Sequence, residues 1–276
     1  MKPRTRLYTP NAGAPTLNLS DPDSLAVRRS LRLAAGDFVA CFNGDGREHL
    51  YRIESSIRGG LYLIWEKSFA NPLDFLPETR IFIAATKGKT KDQIVKELTP
   101  LGATMIAFFT AERSVCRLES HALDRFRKIA VESCRQCGRS TIPAVEIYDR
   151  SLLELCGQPG LFPQQTLLFW EGESSVNSEN RVGETSFSPS TGNLDPAMNR
   201  KAVLSPLRIS DPEQPVALIF GPEGGFTGEE INAARDAGFS FCTLGLRILR
   251  SELAVIVGVT LAQVQRNLFA PESTSS

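Results

Sequence analysis

The sequence is most informative at residues 220–230, which read FGPEGGFTGEE. An apolar strand, predicted for Val216–Phe220, runs there into a glycine-rich turn, and Thr227 with Glu230 has the pattern of a helix capping box. Glycines let a ligand approach the bare backbone at the carboxyl end of a strand. Their spacing fits neither a P-loop nor the dinucleotide fingerprint. Taken alone, the turn is either a ligand site or a tight structural corner.

A second glycine follows the next predicted strand, in the stretch LGLRILRSE at residues 244–252. Arg247 and Arg250 lie there at the start of an apolar helix predicted from about residue 250 to 268. Packing of such a helix does not require two arginines, so they favour an anionic or polar ligand nearby. Helix capping or pairing of an arginine with Glu252 is the structural alternative.

The pattern of predicted secondary structure changes near residue 72. Short strands such as Phe38–Phe42, and the hairpin signal Asn43-Gly44-Asp45-Gly46, predict a small β-barrel in residues 1–72. Residues 73–270 alternate strands with helices, which indicates an α/β domain with a mainly parallel sheet. Residues 172–214 are rich in Ser, Asn, Pro, Gly and Glu, and we interpret them as an extended or flexible insertion.

Charge is balanced over the whole chain but not along it. Lys+Arg and Asp+Glu both total 31, yet residues 1–150 contain 23 basic and 17 acidic residues (23 − 17 = +6), and residues 151–276 contain 8 and 14 (8 − 14 = −6). The basic half is therefore the expected nucleic-acid-facing part, with a solvated exterior as the alternative.

The cysteines and the apolar runs indicate where the protein works. Neither a secretion leader nor a run long enough to span a membrane is apparent, and the six cysteines are scattered, so we expect a cytoplasmic protein without membrane contact. Cys134 and Cys137 form the one close pair. Without a second pair we expect no metal, and predict thiols packed beside a helix.

Taken together, the motifs resemble those of the RsmE family of ribosomal RNA methyltransferases. Residues 221–230 followed by 244–252 are similar to the paired C-terminal signature of that family. Residues 136–139, QCGR, with Pro143 are similar to a further family segment, as are Glu112 and Arg113 in AERSV and the residues LRL at 31–33. The resemblance spans nearly the whole chain outside the insertion.

The resemblance implies a fold, a cofactor and a partner. The implied fold is an α/β SPOUT domain, Rossmann-like with a C-terminal trefoil knot, preceded by a PUA-like RNA-binding β-barrel. The implied activity is transfer of a methyl group from S-adenosyl-L-methionine to uracil N3 in 16S ribosomal RNA, free or in the assembled small subunit, by a homodimer. The cofactor would lie against three loops: Phe169, Trp170 and Glu171; Gly221, Pro222, Glu223, Gly224 and Gly225; and Leu244, Gly245, Leu246, Ile248, Leu249 and Arg250.

Methylation of an imide nitrogen also suggests catalytic roles. The nitrogen must lose its proton, so an arginine that stabilises the developing anion and a carboxylate that takes the proton or positions the base are expected. We predict Arg250, with Arg139 second, as the electrostatic partner and Glu252 as the carboxylate. For RNA contact we predict basic residues of the first half: Arg28, Arg29, Arg32, Arg125, Lys128, Arg135 and Arg139. The alternatives are a SPOUT enzyme acting on another RNA atom and a non-catalytic RNA-binding ribosome-assembly protein.

Overall fold

The computed structural model describes residues 5–19, 32–57, 60–74, 76–85, 90–114, 121–170, 205–245 and 247–268. Within these ranges the chain forms two sheets, one from residues 6–70 and one from residues 79–243. The sequence also predicts a short helix that begins near Ser20 and Asp21, but residues 20–31 lie outside the described residues. None of the described helices is long and apolar enough to cross a bilayer.

The first sheet has five strands in the order β1-β3-β4-β5-β2. Their bounds are β1 Arg6–Tyr8, β2 Thr16–Leu19, β3 Phe38–Phe42, β4 Arg47–Ile57 and β5 Gly60–Ala70. The predicted hairpin signal connects β3 to β4, which pair antiparallel. Buried side chains that include Val39, Tyr51 and Leu63 form its core. The alternation of buried and exposed positions in β2 is typical of a half-buried strand.

The second sheet has seven strands in the order β10-β12-β9-β11-β6-β7-β8, and every adjacent pair is parallel. The strands are β6 Thr79–Ala84, β7 Met105–Phe109, β8 Ala144–Tyr148, β9 Gln165–Phe169, β10 Ser205–Pro206, β11 Val216–Phe220 and β12 Ser240–Thr243. The helices are α1 Thr90–Leu98, α2 Ala122–Cys137, α3 Leu152–Cys156, α4 Gly228–Asp236 and α5 Ser251–Gln265. The predicted α/β class is confirmed.

Helices cover both faces of this sheet. Buried residues of α1, α2 and α5 pack on one face, and those of α3 and α4 pack on the other. All five residues of β11 are therefore buried, which explains its unbroken apolar sequence. Helix α5 approaches closely at Gly258, where a Cβ atom would lie 2.8 Å from the Phe220 ring. The trefoil knot stays a prediction, because strand order and register do not establish how the chain threads.

The end of the predicted insertion is corrected by the structure. Residues 205–214 belong to the fold, because β10 pairs with β12 and the side chains of Leu207 and Ile209 are buried against the sheet. Gln165 holds the backbone amides of Ser210 and Asp211 at 2.9 and 3.0 Å. The alternating apolar residues of this short stretch were hidden by the polar composition around them. Residues 172–204 lie outside the described part.

A polar cluster joins the two sheets, and we call it the domain junction: Arg6, Glu48, Asn71, Asp74, Arg139 and Ser140. The guanidinium of Arg6 pairs with Glu48 and donates to the carbonyl oxygens of Cys134 and Arg139 at 2.7 and 2.9 Å. Asn71 donates to the carbonyl oxygen of Gly138 at 2.7 Å. These groups come from the first sheet, from the segment after β5 and from the residues after α2. Because they are largely buried, they hold the first sheet against the C-terminal end of α2.

Candidate functional site

The candidate site lies along one edge of the seven-stranded sheet. In a parallel sheet all strands end on the same side, which we call the carboxyl edge. Strand β9 lies between β11 and β12, with Phe169 aligned to both Phe220 and Cys242. The residues that follow these three strands therefore come together at the carboxyl edge, although they are far apart in sequence.

The glycine-rich turn after β11 is closed by a hydrogen bond from Gly225 N to Pro222 O, 2.9 Å long. Gly225 has a φ of +69°, a conformation that side-chain-bearing residues rarely adopt, and a Cβ atom there would meet nothing within 4 Å. Gly221 is required for packing, since its Cβ would lie 2.9 Å from the Phe226 ring. Of the two roles left open by the sequence, Gly221 has the structural one, and Gly225 leaves its backbone open to a ligand.

The capping box of α4 is present as predicted. Thr227 Oγ1 accepts from Glu230 N at 3.2 Å, and Glu230 Oε2 accepts from Thr227 N at 2.9 Å. Glu230 is only 2% exposed, and its other oxygen accepts from Glu112 N at 3.2 Å. The capping carboxylate thus connects the glycine-rich turn with the loop after β7.

The loop after β12 begins with a second open glycine. Gly245 has a φ of +110°, a Cβ atom on it would meet nothing within 4 Å, and its amide donates to Thr243 Oγ1 at 3.2 Å. Ile248 is 81% exposed, although it is apolar. Leu249 is partly buried, and Leu246 lies outside the described residues. This loop therefore offers bare backbone and an exposed apolar side chain, which suit a flat, partly apolar ligand.

The loop after β9 completes this part of the edge. Trp170 is half-buried, its amide donates to Cys242 O at 3.0 Å, and its ring meets that of Phe241 at 6.0 Å. Phe169 is buried and stacks on Phe220 with ring centroids 4.4 Å apart, so it supports the site from below. Glu171 lies outside the described residues.

Arg250 and Glu252 lie at the N-terminus of α5. Arg250 is the N-cap residue, but its exposed side chain makes no capping hydrogen bond. Among the described residues, no carboxylate lies within ion-pair distance of Arg250, and Glu252 contacts Ser251 Oγ at 3.5 Å. The structural alternatives of capping and Arg–Glu pairing therefore do not explain this arginine, whose guanidinium is open to a ligand.

The thiol beneath the site is not a nucleophile. Cys242 ends the row Phe220–Phe169–Cys242 and is 1% exposed. Burial raises the pKa of its thiol to about 12, so the thiolate is absent at neutral pH. The chemistry of this edge must come from its backbone, its arginines and its carboxylates.

Comparison with known proteins decides the family. A family model described as an RNA methyltransferase domain matches residues 75–263, and a model described as an RNA methyltransferase PUA domain matches residues 27–64. The chain belongs to the RNA methyltransferase family. The resemblance that the sequence motifs indicated is thereby confirmed, and the carboxyl edge belongs to the part of the chain that matches the methyltransferase model.

Relatives of this methyltransferase include proteins named Ribosomal RNA small subunit methyltransferase E. The one from Synechocystis sp. is 28% identical over 249 residues, covering 90% of this chain and 72% of the relative. The one from Bacillus subtilis is 26% identical over 265 residues, covering 92% of each.

Solved structures share the fold. A Ribosomal RNA small subunit methyltransferase E from Neisseria gonorrhoeae, bound to S-adenosyl methionine, has a TM-score of 0.69 at 23% identity, covering 94% of this chain and 97% of that one. A probable rRNA-methyltransferase from Porphyromonas gingivalis has a TM-score of 0.72 at 21% identity, covering 96% and 99%. These neighbours support the predicted two-part architecture.

Arg139 was predicted to bind RNA and to assist catalysis, and its position in this methyltransferase contradicts both roles. Its side chain is 4% exposed, and Nη1 donates to the carbonyl oxygens of Thr99 and Ala103 at 2.6 and 2.9 Å. Nε lies 3.6 Å from Asp74 Oδ1. A guanidinium enclosed in this way caps the end of α1 and cannot reach RNA. The QCGR segment therefore owes its arginine to the fold.

The other residues that were predicted to bind RNA differ in exposure and in whether they form ion pairs within the protein. Arg32 and Lys128 are exposed. Arg125 pairs with Asp92 at 3.0 Å, and Arg135 pairs with Glu132. These two therefore present less net charge than their sequence suggests. Arg28 and Arg29 lie outside the described residues.

Arg113, at the carboxyl edge, was not identified as a functional residue from the sequence. Arg113 donates to the carbonyl oxygen of Gly224 at 3.2 Å, and a Cβ atom on Gly224 would lie 3.1 Å from Arg113 Cβ. Gly224 is thus a glycine because Arg113 packs against it. The place of Arg113 in the sequence could have indicated such a role. Glu112 and Arg113 follow strand β7, so they had to lie at the carboxyl edge of the sheet.

Proposed function

We propose that this protein transfers a methyl group from S-adenosyl-L-methionine to N3 of a uridine in small-subunit (16S) ribosomal RNA. The observation that carries the proposal is the meeting of three loops at adjacent strand ends, two of them with open, positive-φ glycines, in a chain of the RNA methyltransferase family. The names of the relatives supply the substrate, ribosomal RNA of the small subunit. The uracil N3 position rests on the RsmE resemblance.

The residues of the three loops fit the cofactor. Gly225 and Gly245 leave space where a side chain would stand, so backbone amides and carbonyls can meet the adenosine moiety. Exposed Ile248 and half-buried Trp170 offer apolar surface, and exposed Glu223 offers a carboxylate to a cationic ligand. When bound, S-adenosyl-L-methionine supplies an electrophilic methyl group on a sulfonium centre.

The protein's own contribution is to make the uracil nitrogen nucleophilic and to hold it in line. The exposed guanidinium of Arg250 would stabilise the negative charge that develops on the uracil carbonyl oxygens as N3 loses its proton. Glu252, in the first turn of α5, would either accept that proton as the catalytic base or position the reacting groups. Both side chains start from the N-terminus of α5, where the helix dipole also favours an anion.

The remaining proposals concern the partners. We place an RNA-binding domain at residues 1–72 and the catalytic domain at residues 73–270. A homodimer is supported by apolar residues left exposed on α5, namely Leu253, Leu261 and Val264. Work on ribosomal RNA or small subunits also implies a cytoplasmic enzyme.

The decisive experiment is nucleoside mass spectrometry of ribosomal RNA from cells with and without the gene. Loss of one N3-methyluridine, restored by the intact gene but not by an Arg250→Ala version, is expected. Loss of a different methylated nucleoside would indicate a methyltransferase that acts on another RNA atom. An unchanged set of modified nucleosides would contradict catalysis and favour a ribosome-assembly protein.

A further inference from the structure

The loop after β7 is a compact turn. Ser114 N donates to Ala111 O at 2.9 Å, and Ala111 N donates to Ser114 Oγ at 3.0 Å. Strand β7 is separated from β11 by β6, so this turn must reach across the end of β6 to contact the glycine-rich turn. It extends the carboxyl edge beyond the three cofactor loops, on the side of β11 away from β9.

Two polar contacts fasten this turn to the glycine-rich turn. Buried Glu230 accepts from Glu112 N at 3.2 Å, and Arg113 Nη1 donates to Gly224 O at 3.2 Å. Gly224 also fits closely against Arg113, because a Cβ atom on Gly224 would lie 3.1 Å from Arg113 Cβ. Arg113 therefore cannot move without disturbing the glycine-rich turn.

The guanidinium of Arg113 is nevertheless exposed. Among the described residues, Gly224 O is its one hydrogen-bond acceptor, and no carboxylate lies within 4.0 Å, although exposed Glu112 and Glu223 belong to the same two turns. Four of its five N–H donors, by the donor count of a guanidinium, are left for another partner. A guanidinium that one backbone carbonyl holds in place, and whose other donors face solvent, suits a phosphate group.

We infer that Arg113 binds a phosphate of the RNA backbone next to the target uridine and connects it to the cofactor site. The inference rests on the proposed RNA methyl transfer. A base that enters the site must leave its stack, so its flanking phosphates approach the rim of the edge. Because Arg113 also bonds to Gly224, occupation of the cofactor loops and RNA binding should be coupled.

The test uses small ribosomal subunits purified from cells that lack the gene. Their binding to the intact protein is measured across a salt series, with and without S-adenosylhomocysteine. Arg113→Ala should weaken binding about tenfold, the worth of one charge-assisted hydrogen bond, and lower the magnitude of the log–log salt slope by about one unit. S-adenosylhomocysteine should tighten subunit binding by the parent and lose this effect in the variant.

Two further variants sharpen the result. Arg113→Lys should retain the salt slope, because it keeps the charge, while losing part of the affinity. Arg208→Ala removes an exposed arginine at the amino-terminal edge of the sheet, near the start of β9, and should bind subunits as the parent does. Melting curves confirm that each variant is folded.

The outcomes separate the two proposals. An Arg113→Ala variant with the parent's salt slope, or one whose loss is matched by Arg208→Ala, overturns the role of Arg113. The same holds if calorimetry shows S-adenosylhomocysteine affinity falling while the salt slope stays constant, because Arg113 would then only support the turn. A parent protein that binds no subunits would contradict the proposed function itself.

Discussion

The domain junction and the carboxyl edge both contain arginines and carboxylates, but the two regions place these groups in opposite environments. At the junction, Arg139 is enclosed by two backbone carbonyls and Asp74. At the edge, the side chain of Arg250 makes no capping bond and is exposed. Two arginines that the sequence offered for the same catalytic role thus occupy opposite environments.

The difference teaches how to separate a structural motif from a functional one. Buried polar groups that pair within the protein stabilise one arrangement of the chain and are enclosed beyond the reach of a ligand. Exposed groups with unused donors, next to glycines that have open space, contribute little to stability and are available for binding. Exchanging matched residues between the two regions tests this division.

The largest effect is expected from the arginine of the junction. Arg139→Met keeps most of the side-chain volume but removes the positive charge beside buried Asp74 and the guanidinium donors to Thr99 O and Ala103 O. Among the described residues, Asp74 then keeps only its hydrogen bond from Ser140 N, and Thr99 O only that from Gly102 N. The free energy of unfolding should fall by about 3–5 kcal/mol, as when one partner of a buried ion pair is removed. Arg250→Met is the matched control and should change it by less than about 0.5 kcal/mol, as a surface substitution does. Denaturant titrations give both values, and equal losses would refute the division.

The arginine of the edge should have the opposite profile. Arg250→Ala should lower turnover about a hundredfold, the effect of removing one donor to a developing anion, with little change in melting temperature. Cofactor affinity should fall much less than turnover. Single-turnover methylation of subunits and calorimetry with S-adenosylhomocysteine measure the two quantities. An equal loss in both would assign Arg250 to the cofactor site instead of the reaction step.

Local patterns predicted elements of both sheets. The run at β11 and the strand at Phe38–Phe42 have the predicted bounds. Helix α2 ends at Cys137, and the following Gly138 has a φ of +96°, which is typical of a glycine that ends a helix. These features depend on side chains within a few residues, so the sequence contains their whole cause. Short elements such as β1 and β10 depend on pairing with distant strands and were not predicted.

The candidate site was predictable in position but not in the role of each residue. Glycine turns at strand ends locate the carboxyl edge, because parallel strands end together. Whether an arginine there is buried depends on contacts across the fold: Arg139 meets Thr99 and Ala103, about 40 positions earlier in the chain, and Arg113 meets Gly224. Such separations leave no local pattern in the sequence.

A smaller effect distinguishes two glycines that share a left-handed conformation. Gly225 at the edge and Gly138 at the junction have φ values of +69° and +96°. Alanine at either position should lower the free energy of unfolding by about 1–2 kcal/mol, because left-handed backbone strains a side-chain-bearing residue. Only Gly225→Ala should also weaken S-adenosylhomocysteine binding, measured by calorimetry. Equal affinities for the two variants would remove Gly225 from the cofactor site.

The smallest expected effect is on the pH dependence of the free energy of unfolding. Two buried thiols make it sensitive to how far solvent penetrates below the carboxyl edge. Burial raises the pKa of Cys134 beside the junction and of Cys242 beneath the edge, each to about 12. The unfolded chain loses these protons near pH 8.5, whereas the folded protein keeps them, so above that pH the unfolded state binds fewer protons and stability falls as pH rises. Each thiol should account for about 1 kcal/mol of the loss between about pH 8 and about pH 9.5.

In reducing buffer, Cys134→Ala and Cys242→Ala should each flatten the pH dependence of the unfolding free energy by the same amount relative to the parent. If only Cys134→Ala flattens the pH dependence, solvent reaches Cys242 and the site extends down to the strands. If both variants flatten it equally, the row of Phe220, Phe169 and Cys242 closes the site off from the core.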